Sequence, residues 1–234
     1  MVSIIYQLTE RKSLHISSLN YIMKNVHVLK YTPQLEALYT IIRNKDTSRE
    51  DFIFYSDRII SILLEEGFNF LPFKPVTVTT SLDVNFRGSK LGAKVCAVSI
   101  LRSGESMEWS LRSMYKDMRI GKILLQRDEK THEAKFYFAK LPPDVSKRHV
   151  LLLDPMLGTA GSAISAVEVL KKHKVKEDHI IFINLISYPP GIEKLHNKFP
   201  EMKIVTGFMD NKMTKNKYLL PGLGDFGDRY FGTY

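Results

Sequence analysis

Residues 150–170 read VLLLDPMLGTAGSAISAVEVL. The apolar residues 150–153 predict a buried strand, and the spacing of apolar residues from 163 to 170 predicts a helix. Asp154 follows the strand directly, and small and hydroxyl-bearing residues separate it from the helix. A strand that ends in a carboxylate and turns through small residues into a helix is typical of an anion-binding turn. We therefore expect chemistry at this turn.

The turn between residues 158 and 162 has the composition that binding of an oxyanion requires. The first N–H groups of a helix have no partners inside the helix, and the helix dipole adds partial positive charge there. Small residues at 158, 160 and 161 let the backbone approach an anion, and the hydroxyls of Thr159 and Ser162 can donate further hydrogen bonds. The alternative is an ordinary turn capped by Thr159 or Ser162. Asp154 favours the binding site, because open α/β sheets bind ligands at the carboxyl ends of their strands.

Strand and helix patterns alternate along the rest of the chain. Pro75–Thr80 alternates like a strand, and nearly continuous apolar runs predict strands covered on both faces at Val95–Leu101, Ile120–Leu125, Val150–Leu153 and Ile180–Ile186. Helical patterns lie between several of them, near Ser106–Tyr115, Gly161–His173 and Gly191–Phe199. This alternation predicts a parallel sheet with right-handed crossovers. Residues 134–139 predict one strand of a hairpin that extends from the core.

Two further helices are predicted near the start of the chain from their end signals. Thr32 followed by proline is typical of an N-cap and a first helical residue. Ser48 and Asp51 have capping-box spacing, so a second helix begins near Ser48, and it is expected to stop at Gly67.

The composition indicates a folded, cytosolic protein with one domain, or with one domain and a small appendage. A chain of 234 residues with 44% hydrophobic content can bury one substantial core. We expect residues 25–234 to form that domain, after a variable N-terminal segment at 1–24. No apolar run approaches the roughly 20 residues needed to span a bilayer. The single cysteine, Cys96, lies in an apolar run, which predicts an inert core thiol, and the histidines show no metal-ligand spacing, so no metal ligand is assigned.

The formal net charge of +9 suits a polyanionic partner. Lysines and arginines are spread along the chain, and no RNA-binding signature with interleaved aromatic residues is present. The charge therefore favours a polyanionic small molecule over a nucleic acid.

Four motifs stand in order along the chain. They are Ile100-Leu101-Arg102-Ser103-Gly104-Glu105-Ser106-Met107, Gln126-Arg127-Asp128-Glu129, the Asp154–Ser162 turn, and Tyr218-Leu219-Leu220-Pro221-Gly222-Leu223-Gly224-Asp225-Phe226-Gly227-Asp228-Arg229. Together they resemble the type I phosphoribosyltransferases, which bind 5-phosphoribosyl 1-diphosphate, and Asp154-Pro155-Met156 is similar to the uracil phosphoribosyltransferase family in particular. The similarity runs from about Asn25 to the end of the sequence and follows the eukaryotic-like branch of that family, including residues 38–43 and 47–51. The resemblance implies an α/β type I phosphoribosyltransferase fold, with a mainly parallel central sheet flanked by helices, a small hood or C-terminal base-binding region, and a β-hairpin arm.

The resemblance also implies an activity, the transfer of a phosphoribosyl group from 5-phosphoribosyl 1-diphosphate to uracil, which gives UMP and diphosphate in pyrimidine salvage. It implies four catalytic residues. Arg102 and Arg127 contact the diphosphate, Asp154 accepts hydrogen bonds from the ribose 2- and 3-hydroxyls, and Asp225 lies on the donor side of the pocket. The other donor-binding positions are Pro155, Met156, Leu157, Gly158, Thr159, Ala160, Gly161 and Ser162, with the 5-phosphate in the loop from Gly158 to Ser162. Mg²⁺ is the expected cofactor, bound largely through the diphosphate.

Uracil presents an acceptor, a donor and an acceptor along one edge, and backbone N–H, C=O and N–H groups complement that order. The resemblance places these groups at Leu219, Gly224 and Phe226. Cytosine carries an amino donor in place of one acceptor, so we expect it to be rejected.

The phosphate turn departs from the commoner family loop at two positions. Gly158 and Ala160 stand where that loop has alanine and glycine. This exchange between small residues is expected to preserve anion access unless the backbone at Ala160 needs a positive φ.

Three other functions are compatible with the fold. Another base, such as a purine or orotate, is disfavoured by the Asp-Pro-Met and Gly-Leu-Gly-Asp sequences. An RNA-binding regulator on the same fold is the second, and salt-dependent retention of RNA without turnover of uracil would identify it. A catalytically degenerate interaction protein is the third, and the presence of all four candidate catalytic residues argues against it. The expected assembly is a homodimer or homotetramer without a membrane partner.

Overall fold

The computed structural model describes residues 23–127 and 134–234. In chain order its elements are β1 (Val26–Val28), α1 (Pro33–Arg43), α2 (Arg49–Phe68), β2 (Phe73–Thr79), β3 (Asn85–Leu91), β4 (Val95–Leu101), α3 (Glu108–Met114), β5 (Arg119–Arg127), β6 (Ala134–Lys140), β7 (His149–Leu153), β8 (Met156–Leu157), α4 (Gly161–Lys172), β9 (Ile180–Ser187), α5 (Pro189–Lys198), β10 (Lys203–Met209), β11 (Lys212–Met213), β12 (Leu219–Leu220) and α6 (Phe226–Phe231). A 3-10 helix, Ser103–Met107, connects β4 to α3.

The central sheet has the strand order β1-β10-β9-β7-β4-β5-β6, and the short β8 also pairs with β9. Neighbouring strands are parallel from β1 through β5, and the edge strand β6 is antiparallel to β5. The chain passes from β4 to β5 on one side and from β7 to β9 and β10 on the other. Strands β4 and β7 therefore flank the point where the winding reverses, and ligands bind beyond the carboxyl ends of strands at such a point. Arg102 and Asp154 directly follow these two ends.

Helices cover both faces of the sheet, so its central strands are largely apolar, although β4 buries Ser99 and β9 buries Asn184 and Ser187. In β7, Val150 and Leu152 pack into one core cluster, whereas Leu151 and Leu153 pack into the other. All four side chains are fully buried. Helices α4 and α5 contribute to the first cluster, and α1 and α2 contribute to the second. Burial on both faces explains why the predicted strands are nearly continuous apolar runs.

The predicted alternation of strands and helices is confirmed, but three parallel strands, β1, β10 and the short β8, were not predicted. Strands β1 and β10 lie at one side of the sheet, and Thr206 and Gly207 interrupt the apolar run of β10. Gly207 leaves the space that the Tyr39 ring needs, since a Cβ at this position would lie 2.0 Å from the Tyr39 hydroxyl oxygen. That hydroxyl donates to the Leu185 carbonyl at 2.8 Å.

Both predicted helix starts are confirmed. The Leu35 N–H donates to the Thr32 hydroxyl oxygen at 3.2 Å, and the Asp51 N–H donates to the Ser48 hydroxyl oxygen at 3.1 Å. Each contact pairs an N–H group that has no partner inside its helix. The second helix continues one residue past the predicted stop at Gly67, to Phe68.

The predicted architecture, a mainly parallel central sheet flanked by helices, is confirmed. The predicted strand at residues 134–139 is β6, which pairs with β5 as a hairpin at the sheet edge. A second antiparallel hairpin, β2 with β3, forms its own small sheet, and most of its side chains are exposed.

The N-terminal boundary of the domain stays a prediction. Most of the proposed variable segment, 1–24, lies outside the described residues, and β1 begins at Val26. Among the helices of the described ranges, none is both long and apolar enough to cross a bilayer.

Burial of Cys96 in β4 makes its thiol unreactive. The side chain has no exposed surface, and burial raises the pKa of the thiol to about 12. At pH 8 the thiol is therefore protonated as well as inaccessible, and we expect no reaction of the native protein with the disulfide reagent DTNB. The same protein in guanidinium chloride should release one equivalent of thiolate product, because the sequence has one cysteine. Rapid reaction of the native protein would contradict this packing.

Candidate active site

A cavity of about 500 Å³ lies beyond the carboxyl ends of β4 and β7 and against the C-terminal loop. It brings together predicted site residues from three of the four motifs. Those that line it are Arg102, Asp154, Met156, Gly158, Ser162, Leu219, Gly224, Asp225 and Phe226. The wall also includes Asn216 and Lys217, which sequence reasoning did not select. The predicted donor and base regions therefore share one space.

The remaining predicted residues lie beside the cavity or behind it. Pro155 and Leu157 are buried, and the Pro155 carbonyl accepts from the N–H groups of Leu185 and Ile186 at 2.9 and 3.1 Å. They support the turn from the sheet side rather than face the cavity. Thr159–Gly161 completes the turn. Arg127 ends β5, next to β4 in the sheet, but its side chain and residues 128–133 lie outside the described part of the structure.

Ala160 has a left-handed backbone, with φ +65°, and it is the N-cap residue of α4. Alanine was expected to preserve anion access here unless the backbone needs a positive φ, and the backbone does have one. A left-handed conformation costs a non-glycine residue roughly 1–2 kcal/mol. The finding also disfavours the alternative of a turn capped by Thr159 or Ser162, since the N-cap residue has no polar side chain. The N–H groups that open α4 therefore receive no side-chain cap from that position.

Gly191 in α5 packs directly against the back of the turn. A Cβ at this position would lie 1.9 Å from the carbonyl oxygen of Gly158, so only glycine allows this approach. The Tyr188 N–H, just before α5, donates to the Leu157 carbonyl at 2.8 Å. Sequence reasoning did not select Gly191, because the only local signal is a glycine near a helix start.

Arg102 is held at the rim of the cavity by the C-terminal helix. Its guanidinium donates to Asp228 at 2.6 Å and to the Thr233 hydroxyl at 2.7 Å, and about half of its side chain is exposed. Hydrogen bonds from Thr233 and Arg102 hold the pKa of the Asp228 carboxyl below its ordinary value. An exposed ion pair of this kind contributes little stability, so an anionic ligand can replace it.

The segment that carries Arg102 is fixed to the sheet on both sides. A Cβ at Gly104 would lie 2.2 Å from the Leu153 carbonyl oxygen, which brings this segment against the end of β7. Behind it, the Ser99 hydroxyl donates to Glu108 at 2.7 Å, and Lys122 pairs with Glu105 and Glu108. The hydrogen bond to Glu105 is the main reason why the pKa of Lys122 is raised. These contacts position Arg102 next to Asp154.

The C-terminal loop forms the other wall of the cavity. Asp225 is the N-cap of α6, where its carboxylate accepts from the Asp228 N–H at 2.9 Å. Leu219 and Phe226 are buried, and the Phe226 ring lies 5.3 Å from that of Phe52. Arg229 donates to the carbonyls of Ile42, Leu223 and Asn44. The loop is therefore anchored to α1 and α2.

The cavity offers charges of both signs, from Asp154 and Asp225 and from Arg102 and Lys217. Within 23–127 and 134–234, no group of three His, Cys, Asp or Glu residues is arranged to hold a metal ion. Mg²⁺ prefers oxygen ligands, and it commonly keeps waters and substrate phosphates in its shell. This donor set therefore fits a Mg²⁺ ion that a polyphosphate ligand brings with it.

Comparison with known proteins places this chain in a family. Residues 28–233 match the family model described as uracil phosphoribosyltransferase. The chain is 58% identical over 208 residues to a uracil phosphoribosyltransferase of Saccharomyces cerevisiae, covering 89% of this chain and 96% of that protein. It is 54% identical over 210 residues to the uracil phosphoribosyltransferase of Dictyostelium discoideum, covering 90% and 97%.

Solved structures share the fold. The AQ2163 protein from Aquifex aeolicus superposes with a TM-score of 0.77 at 27% identity, covering 88% of this chain and 98% of that one. Adenine phosphoribosyltransferase from Trypanosoma brucei, in complex with AMP, pyrophosphate and ribose-5-phosphate, gives a TM-score of 0.54 at 8% identity, covering 84% and 88%. At that identity the likeness concerns the fold alone.

Replacing Gly191 by alanine tests whether α5 fixes the turn. The added Cβ would overlap the Gly158 carbonyl oxygen, so either the helix or the turn must move. We expect a loss of about 1–3 kcal/mol in the free energy of unfolding, measured in urea. Calorimetry should also show weaker binding of ribose 5-phosphate.

Gly92→Ala is the matched control for that substitution. A Cβ at Gly92 would meet only the methylene carbons of the Lys74 side chain, which is exposed and can move aside. We expect a change within about 0.5 kcal/mol. Equal stability and equal affinity in the two variants would contradict a role for Gly191 in shaping the turn.

Proposed function

The chain belongs to the uracil phosphoribosyltransferase family, and we propose that its cavity transfers the phosphoribosyl group of 5-phosphoribosyl 1-diphosphate to uracil, giving UMP and diphosphate. The observation that carries this proposal is the convergence of three features in one cavity. They are the anion-binding turn 158–162, Arg102, and the loop 219–226. Neither an RNA-binding regulator nor a degenerate interaction protein requires these three together.

The turn 158–162 would hold the 5-phosphate of the donor. Gly158 and Ser162 face the cavity, and α4 begins at Gly161 with its first N–H groups available to an anion. A left-handed residue next to a right-handed one turns successive N–H groups toward the same side, which is the arrangement of an anion nest. The backbone conformation at Ala160 supports this assignment.

Asp154 and Arg102 would act on the two reacting parts of the donor. Breaking of the C1–O bond to diphosphate would run ahead of formation of the C1–N1 bond to uracil, so positive charge would develop on the ribose. Uracil N1 would release its proton to the departing diphosphate or to water. Asp154, at the end of β7, would fix the ribose through its 2- and 3-hydroxyls. Arg102 would exchange Asp228 and Thr233 for oxygens of the leaving diphosphate, and Arg127 would serve the same group. Holding both ends of the donor contributes several kcal/mol of barrier reduction in well-oriented reactions.

Mg²⁺ would be held mainly by the diphosphate and by the ribose hydroxyls that Asp154 orients, without a dedicated protein cage. When bound, it neutralises charge on the leaving group. Asp225, which also faces the cavity, would lie on the side of the pocket that binds the donor.

Uracil would be recognised by backbone groups of Leu219, Gly224 and Phe226. Burial of the Leu219 and Phe226 side chains supports a rigid position for these backbone groups, because neither residue can shift without disturbing the core. Cytosine would place its amino group, a hydrogen-bond donor, opposite a backbone N–H donor, so neither donor would be paired. Each unpaired buried group costs roughly 1–3 kcal/mol, so discrimination should be strong.

We also infer a cytoplasmic enzyme that has no nucleic-acid partner and assembles as a homodimer or homotetramer. Exposed apolar side chains on two hairpins, including Phe73, Phe86 and Phe138, support self-association.

A turnover assay with labelled uracil, donor and Mg²⁺ tests the proposal. Wild type should form UMP, and chelation of Mg²⁺ should abolish the reaction. Asp154→Asn should lower kcat/KM by about 100-fold, because the ribose loses its charged acceptor. Arg127→Ala should raise the KM for the donor by about tenfold or more, because a charge-assisted contact is lost.

Asp178→Asn and Arg112→Ala remove the same charges at exposed positions outside the cavity, and both should keep wild-type kinetics. Absence of UMP formation by the wild type would overturn the function. Full activity of both site variants would overturn the residue roles alone.

A further inference from the structure

Arg43 and Asp210 form a buried ion pair that the proposed mechanism does not use. Two guanidinium nitrogens of Arg43 donate to the two carboxylate oxygens of Asp210, at 2.8 and 3.1 Å. The Asp210 side chain is fully buried, and that of Arg43 is 17% exposed. Asp210 directly follows β10, and its N–H donates to the Ser187 carbonyl at the end of β9. The pair is therefore fixed at the carboxyl ends of β9 and β10.

The pair holds both polar backbone groups of Gly222. The Gly222 N–H donates to Asp210 at 2.9 Å, and the Gly222 carbonyl accepts from Arg43 at 2.8 Å. Gly222 has φ +65°, and a Cβ there would lie 2.1 Å from the Leu219 carbonyl oxygen. The chain reverses tightly at this residue, and a charged pair fixes the reversal.

The surroundings of Arg43 strengthen these contacts. The guanidinium carbon lies 4.7 Å from the centre of the Phe208 ring and 5.7 Å from that of Tyr39. Aromatic rings on one side exclude water, and a hydrogen bond between charged groups gains strength in such an environment. Loss of either partner would leave the other charge buried and unpaired.

We propose that Arg43 and Asp210 are positioning residues for base recognition, acting through Gly222. The inference rests on the proposed function, in which backbone groups of Leu219, Gly224 and Phe226 read uracil. Gly222 lies between the first two of these in the chain. Neither member of the pair lines the cavity, so their effect on the base passes through the loop.

The phosphate turn and Arg102, which would carry most of the contacts to the donor, are held by different contacts, so the effect should fall mainly on the base. The turn 158–162 rests on Gly191 and on β9, and Arg102 rests on Gly104 and the C-terminal helix. None of these contacts includes Arg43, Asp210 or Gly222. Weakening the pair should therefore change binding of the base more than binding of the donor.

The test compares the KM values for uracil and for the donor in Arg43→Lys and Asp210→Asn. Lysine keeps the positive charge, but it lacks the planar guanidinium that hydrogen-bonds Asp210 and the Gly222 carbonyl together. In Asp210→Asn, the side-chain amide places an N–H donor opposite the donors of the guanidinium. In each variant we expect the KM for uracil to rise about tenfold or more, while the KM for the donor stays within about twofold.

Asp144→Asn is the matched control. Asp144 accepts from Arg148 at 2.8 Å through both carboxylate oxygens, in a second forked pair that does not contact the C-terminal loop. Its KM values should equal those of the wild type. Melting temperature and binding of the labelled donor, measured for every variant, report whether the fold is intact.

The possible outcomes distinguish failure of this inference from failure of the proposed function. If the wild type does not convert uracil, the proposed function fails and this inference falls with it. If the wild type is active but both KM values rise equally, or only kcat or the melting temperature changes, the inference alone is overturned. Should Asp210→Asn fail to bind donor, Arg43→Lys decides by the same criterion.

Discussion

Two close backbone contacts, each possible only at a glycine, determine the shape of the half of the site that we propose binds the donor. Gly191 admits the carbonyl of Gly158, and Gly104 admits the carbonyl of Leu153. The first contact seats the anion-binding turn on α5, and the second seats the segment of Arg102 on the end of β7. Because both contacts involve backbone rather than flexible side chains, the distance between the turn, Asp154 and Arg102 is set by the sheet itself. A site that holds both ends of one substrate requires such rigidity.

The half of the site that we propose binds the base is held by other kinds of contact. Its loop is anchored by Arg43 of α1, Phe52 of α2 and Asp210, which follows β10. Arg229 of α6 adds hydrogen bonds to the backbone of α1 and of the loop itself. Arg229, for example, lies 4.1 Å from the centre of the Phe52 ring while it donates to three carbonyls. Separate supports mean that base selection can be tuned in the loop without disturbing the phosphate turn. The contact of Arg102 with Asp228 is where the two halves meet.

The sequence predicted the features that local patterns determine. The apolar runs of β4, β7 and β9, the caps Thr32 and Ser48, and the acid that follows β7 are each visible within a few residues. Contacts between residues far apart in the chain were not predictable in this way. Gly191 against Gly158, Arg43 with Asp210, and Arg102 with Asp228 each join distant segments. The left-handed backbone at Ala160 was a stated condition rather than a prediction, because alanine adopts that conformation only when surrounding packing enforces it.

Every role that we propose for the site depends on the turn 158–162 holding the terminal phosphate of a phosphoribosyl donor. A crystal structure with 5-phosphoribosyl 1-diphosphate and Mg²⁺ tests it most directly. We expect the 5-phosphate within hydrogen-bond distance of the backbone N–H groups at Gly161 and Ser162, with the ribose hydroxyls at Asp154. Saturating donor bound elsewhere, with this turn free of any anion, would contradict it.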